Sequence, residues 1–143
     1  MRLWHYKLIS VLPRKQLQGQ WREISAISKK LIKNKTLHYG LVKKILNYPL
    51  NNFTNYNLLL YDELVRRNIR PSKEILKVVT VDLFSVADLF NDSGGNLFDD
   101  WHNDRYLLQC YYNLQEKYDC GLISKTDWLK IEETIYKELD SNS

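Results

Sequence analysis

Gln16-Leu17-Gln18-Gly19-Gln20-Trp21-Arg22-Glu23-Ile24, continued through Ile27, Ser28 and Leu31, is the stretch on which the fold turns. Leu17, Trp21, Ile24, Ile27/Ser28 and Leu31 recur at offsets 0, 4, 7, 10/11 and 14. That spacing puts apolar side chains on one face of an α-helix. Pro13 suits the first turn, where its missing N–H would be unpaired anyway. A helix is therefore predicted from Pro13 to about Lys33, with Ser10 as a candidate cap-region residue. At about 100° per residue, Gln16, Gln20 and Glu23 line one flank of the apolar stripe, and Lys15, Arg22, Lys29 and Lys33 cluster elsewhere. Gly19 weakens the helix by about 1 kcal/mol against Ala; it either admits close approach of another segment or is tolerated slack.

Working outward, the same helical period returns. Leu37 to Leu46 reads as a second helix, and Phe53 to Asn68 as a third. Lys73 to about Phe90 reads as a fourth, although Val78-Val79-Thr80-Val81 is β-like. Asp99 to Tyr118 reads as a fifth, with Gly121 as a stop. Ser124-Lys125-Thr126-Asp127 caps a last helix, Trp128 to about Leu139. The expectation is an all-α, single-domain compact bundle of about six helices over residues 1–140, with 141–143 a disordered tail. Residues 1–10 read as extended or irregular.

Composition sets the outer bounds. The 143 residues are 44% hydrophobic and 13% aromatic, with 5 Gly and 3 Pro, which is a globular balance. No apolar run approaches the roughly 18 residues of a membrane span, and the opening Met-Arg-Leu-Trp-His-Tyr-Lys predicts no signal peptide. A cytoplasmic, preferentially monomeric protein is expected, with Cys110 and Cys120 as reduced thiols.

Charge is distributed unevenly. Residues 1–73 carry 15 Lys/Arg against 3 acids, a net +12, and residues 74–143 carry 6 against 14, a net −8. Such asymmetry points to a polyanion facing the N-terminal half, or else to solvated lysines that only keep the protein soluble. Arg66, Arg67 and Arg70 close the third helix, either as partners of its dipole or as phosphate contacts. Glu23 is the lone acid of the first 61 positions. Its cationic surroundings imply a carboxylate easily kept ionised.

Other constellations are weaker. Asp99, Asp100, His102 and Asp104 crowd together, but acids are favoured at helix starts, and His5, His38 and His102 show no ligand spacing. No metal and no cofactor is expected. The aromatics Trp4, Tyr6, Trp101, Tyr106, Tyr111, Tyr112 and Tyr118 read mainly as packing, with base stacking as the other use of such rings. The α-amine has an ordinary pKa near 7.7–8.0. Arg2 and Lys7 lower it, so it is the best amine nucleophile in the chain at neutral pH; composition alone favours the other reading, an ordinary frayed terminus. Arg2 is bulky, so Met1 is expected to be retained.

Arg2-Leu3, Leu8-Ile9-Ser10, Gln16-Leu17 and Trp21-Arg22-Glu23 together resemble the pyrimidine-dimer DNA glycosylase and abasic-site lyase family of the phage endonuclease V type. The segment Tyr56-Asn-Leu-Leu-Leu-Tyr-Asp-Glu-Leu-Val-Arg-Arg-Asn-Ile69 resembles that family's third helix. Met-Arg-Leu-Trp-His, Leu12-Pro-Arg, Gln16-Leu17-x-Gly-Gln20 and His102-Asn-Asp-Arg-Tyr106 look closer still to a short bacterial branch grouped with it.

The resemblance implies an all-α enzyme in which the amino-terminal amine attacks the sugar of a damaged nucleotide and forms an imine. A first-helix glutamate assists. Carried over, Met1 supplies the amine and Glu23 the carboxylate. DNA is the implied partner, gripped by Arg2 and Arg22. His5, Arg14, Lys15, Lys29 and Lys33 complete the basic set read as DNA-binding. Ala26 stands where the family has an arginine and Gln16 where it has a histidine, and the family's C-terminal aromatic motif is missing. These departures bear on dimer specificity more than on the amine and carboxylate. Two alternatives stay open: a helical nucleic-acid-binding protein that keeps the scaffold without catalysis, and a protein-interaction domain using its acidic half.

Overall fold

Pro13 and Pro49 mark where the two longest helices begin. Each holds φ near −55° (−55° and −56°) just before the first helical residue, the angle its ring imposes. The computed structural model describes residues 2–33 and 40–140. Within them lie six α-helices: α1 Arg14–Ile32, α2 Gly40–Leu46, α3 Leu50–Arg66, α4 Lys73–Val79, α5 Asp104–Asp119 and α6 Lys125–Asp140. Two 3-10 helices, Tyr6–Val11 and Asp82–Leu89, complete the set, and no strand occurs among the described residues. The protein is all-α. The expected tail at 141–143 and the start of the second helix at Leu37 lie outside the described residues.

The periodicity of α1 is realised: Leu17, Ile24, Ile27, Ser28 and Leu31 are buried, while Trp21 is half-buried at the edge of the core. α1 packs on α3, on α4 and on the second 3-10 helix; α5 packs on α6, and the first 3-10 helix lies across α3 and α6. Phe53, Tyr56, Leu60 and Leu64 of α3 fill the centre with Leu3, Leu8 and Leu12 from the N-terminal segment. A fully buried side chain of this size contributes roughly 1.5–3 kcal/mol.

Four expectations change. Residues 6–11 form a 3-10 helix, capped when the His5 ring accepts from the Lys7 N–H. Ser10 sits inside that helix and caps nothing on α1, whose flanking Pro13 makes no side-chain cap bond. The long fourth helix is two pieces. The β-branched run at 78–81 crowds its own turn, and Thr80 Oγ1 donates to the Leu76 carbonyl at 2.5 Å while its backbone leaves helical geometry (φ −128°, ψ −81°). Helix α5 starts at Asp104, capped by Asn103, whose side chain accepts from the Tyr106 N–H. Asp99 and Asp100 therefore belong to a turn after Phe98, a buried residue at φ 57°.

The arginines at the end of α3 serve the fold. Glu63 is buried and accepts from both Arg66 and Arg67. Burial works to raise its pKa, but the two guanidinium hydrogen bonds outweigh it and hold the carboxyl below its ordinary value. Arg67 also donates to the Leu12 carbonyl at 2.7 Å, tying α3 to the N-terminal 3-10 helix.

Candidate active site

The helical spacing that places Gln16, Gln20 and Glu23 on one flank of α1 aims them at residues 2–5. Gln20 is 2% exposed. Its Oε1 accepts the Trp4 N–H at 2.7 Å and lies 3.1 Å from the Tyr56 hydroxyl. Its Nε2 donates to the Arg2 carbonyl and to Glu23 Oε2, each at 3.1 Å. Two acceptors on one nitrogen at that range sit no more than about 6 Å apart, so the Glu23 carboxylate lies beside the backbone of residue 2.

Other elements hold the same segment. Tyr56 of α3 donates to the Trp4 carbonyl at 2.6 Å, and Tyr106 of α5 donates to the Leu3 carbonyl at 2.5 Å. His5 Nε2 lies 2.9 Å from the His102 carbonyl, and His102 Nδ1 accepts the Tyr6 N–H at 3.1 Å. These partners assign the tautomers: each ring accepts at Nδ1, so its proton is on Nε2. Lys7 reaches Glu138 of α6 at 3.2 Å. Side chains from α1, α3, α5 and the loop before α5 thus fix the backbone of residues 2–6.

The electrostatics follow from burial. Glu23 is half-buried, and desolvation pushes its pKa above the ordinary glutamate value despite the amino-terminal charge, the Gln20 amide and Arg22. Its cationic neighbourhood is therefore outweighed, contrary to the expectation from sequence. A raised carboxyl pKa makes the group a better proton acceptor than an ordinary glutamate. Burial lowers His5 to about 4 and His102 to about 3, so both rings are neutral at pH 7. Tyr56 is fully buried and its phenol is pushed well above its ordinary value, so it stays a donor.

Among the residues read as DNA-binding, Arg14, Lys15, Arg22, Lys29 and Lys33 are exposed. Lys15, Arg22, Lys29 and Lys33 fall on one stripe that, at 1.5 Å per residue, runs roughly 27 Å along α1. Arg2 is half-buried, its guanidinium carbon 5.6 Å from the Trp4 ring centre. His5 corrects its assignment. It is fully buried with both ring nitrogens engaged, stacked on Tyr6 and 5.0 Å from the His102 ring, so it is a core residue and not a surface contact. Met1 lies outside the described residues. Gly19 admits no close neighbour among the described residues: an added Cβ would meet the Arg22 guanidinium at 3.9 Å.

A cleft of about 260 Å³ opens beside Arg2, lined by Leu41 and Lys44 of α2 and by Trp101, Tyr106 and Gln109. The Lys44 ammonium sits 4.6 Å over the Trp101 ring. Among the described residues no cluster of three or more His, Cys, Asp or Glu is placed to hold a metal. No described helix is long and apolar enough to cross a membrane.

Tyr56, Tyr106 and the His5–His102 contact were not legible as site components. Tyr56 has the spacing of a core residue, and only its hydroxyl hints at a buried partner. Gln20, three residues before Glu23, was the one signal within reach.

An all-α scaffold thus sets Glu23 beside the backbone of residue 2, with a basic stripe along the same helix. The family model described as pyrimidine dimer DNA glycosylase matches residues 1–77, more than half of the chain. The chain belongs to that family. No curated protein and no solved structure matches it.

Proposed function

We propose that this protein is a DNA glycosylase with abasic-site lyase activity that works through the α-amine of Met1 with Glu23 as its acid/base partner. The observation that carries the reading is the Gln20 amide, which ties the Arg2 carbonyl and the Glu23 carboxylate together at 3.1 Å each. The neutral amine attacks C1′ of the damaged nucleotide and gives up a proton. The glycosidic bond breaks, and the base leaves with the bonding pair and takes up a proton. The sugar ring opens to an imine joining C1′ to the amine. Loss of a C2′ proton then expels the 3′ phosphate by β-elimination. A carboxyl with a raised pKa serves both as proton carrier and, once ionised, as counter-charge to the cationic sugar. Arg2, Arg14, Lys15, Arg22, Lys29 and Lys33 contact phosphates and position the strand without reading its sequence. The target nucleotide must leave the stack to expose C1′.

Borohydride trapping on abasic DNA tests this, with protein whose Met1 amine is free. A covalent adduct is expected. It should vanish when residues are appended before Met1 and fall sharply in Glu23→Gln. No adduct, or an adduct indifferent to both changes, overturns the mechanism. Salt-dependent DNA binding without any adduct would instead assign the chain to non-catalytic DNA binding.

A further inference from the structure

We propose that Gln20 is the positioning residue of this site: its carboxamide sets the distance and angle between the backbone at Arg2 and the Glu23 carboxylate. The inference rests on the amine–carboxylate reading above.

Gln20 is buried deeply for an amide, and an unpaired amide there would be costly. Instead, both ends of the group are used. The Trp4 N–H can only donate, so Oε1 faces it, and the Tyr56 hydroxyl lies on the same oxygen. That leaves the two Nε2 hydrogens for two acceptors, the Arg2 carbonyl and Glu23 Oε2. A flipped amide would set N–H against N–H at Trp4 and oxygen against oxygen at Arg2 and Glu23. The group is locked in one orientation from behind by a fully buried tyrosine. Among the described residues, Glu23 Oε1 accepts no hydrogen bond. A neutral amide cannot carry a proton in the reaction, so Gln20 acts through the groups it spaces.

Gln20→Glu is the sharpest variant. It keeps an oxygen toward Trp4 and Tyr56 and the same shape, and replaces the donor between Arg2 and Glu23 with a second oxygen. Gln20→Met removes both polar ends and reads the cost to folding. Three quantities are compared with wild type: the single-turnover rate of borohydride-trappable adduct on abasic DNA across pH, the affinity for that DNA, and the carboxyl ¹³C titration midpoint of Glu23.

For Gln20→Glu we expect a rate loss of about 10- to 100-fold, the scale of an ångström-level misplacement, with affinity unchanged. The rate profile and the Glu23 midpoint should both move to higher pH. A wild-type rate with unmoved midpoints in a folded variant overturns the proposal. So does an equal loss of rate and affinity in both variants alongside lost folding cooperativity, which reduces Gln20 to a fold contact. If the wild-type protein itself forms no adduct, the amine–carboxylate reading falls. The ¹³C midpoint still decides whether Gln20 governs Glu23, and an unmoved midpoint refutes it.

Discussion

The Arg2 carbonyl and the Glu23 carboxylate accept hydrogen bonds from the same nitrogen, Gln20 Nε2, at equal distances of 3.1 Å. Their sequence separation of 21 residues is thereby closed to one amide. Arg2 and the single acid of the first 61 positions become parts of one polar cluster.

Glu23→Gln keeps the shape of the side chain and removes its proton chemistry. The single-turnover rate on abasic DNA should fall about 10²- to 10⁴-fold, the usual scale of a general acid/base. DNA affinity, measured by fluorescence anisotropy, should hold.

Tyr56→Phe deletes one buried hydroxyl and leaves the Trp4 carbonyl without its 2.6 Å donor. A loss of about 1–3 kcal/mol is expected, the cost of an orphaned buried polar group. Urea unfolding measures it directly.

Stability should decline on acidification from pH 6.5. His5 and His102 have folded pKa values of about 4 and about 3, below their ordinary 6.5. The unfolded chain therefore binds protons that the fold refuses. The stability tied to neutral imidazoles is complete above pH 6.5 and drains away as pH falls toward 4 and 3. Each ring contributes a slope of up to about 1.4 kcal/mol per pH unit inside that window. Glu23, with its raised pKa, binds a proton earlier in the fold and opposes the slope by one group against two. Urea midpoints between pH 7.5 and 5 should fall, and His102→Asn should flatten the fall.

Salt dependence separates surface cations from buried ones. Arg22→Ala and Lys29→Ala should each lower the slope of log affinity against log salt by about 1, one phosphate contact apiece. His5→Ala should leave the slope alone and reduce stability, because the ring is enclosed. Binding titrations from 50 to 300 mM salt, about the range over which such slopes are read, distinguish the two.

What could be read from the sequence was whatever depends on neighbours three, four or seven residues away. The apolar stripe of α1, the flank carrying Gln16, Gln20 and Glu23, and the Ser124 cap of α6, whose hydroxyl accepts from the Asp127 N–H, are all of that kind. The misses depend on distant partners or on competition within one turn. His5 looked like a surface cation until His102, 97 positions away, enclosed it. Arg66 and Arg67 read as partners of the helix dipole or as phosphate contacts until Glu63 took them up. The run at 78–81 was β-like inside a segment read as one helix, and Thr80, bonded back to the turn behind it, sits where α4 ends.

The pins on residues 2–6 have a consequence for synthesis. A ribosome makes this segment well before its partners: Leu3 and Tyr6 are held by Tyr106 and His102, 103 and 96 positions later. Contacts of such separation close late, after the loops between them have been ordered. Gln20 and Tyr56 can engage the backbone of Arg2 and Trp4 early, but the bonds from Tyr106 and His102 form only once the start of α5 has been made. The full set of pins on residues 2–6 therefore closes only after more than a hundred residues have been added.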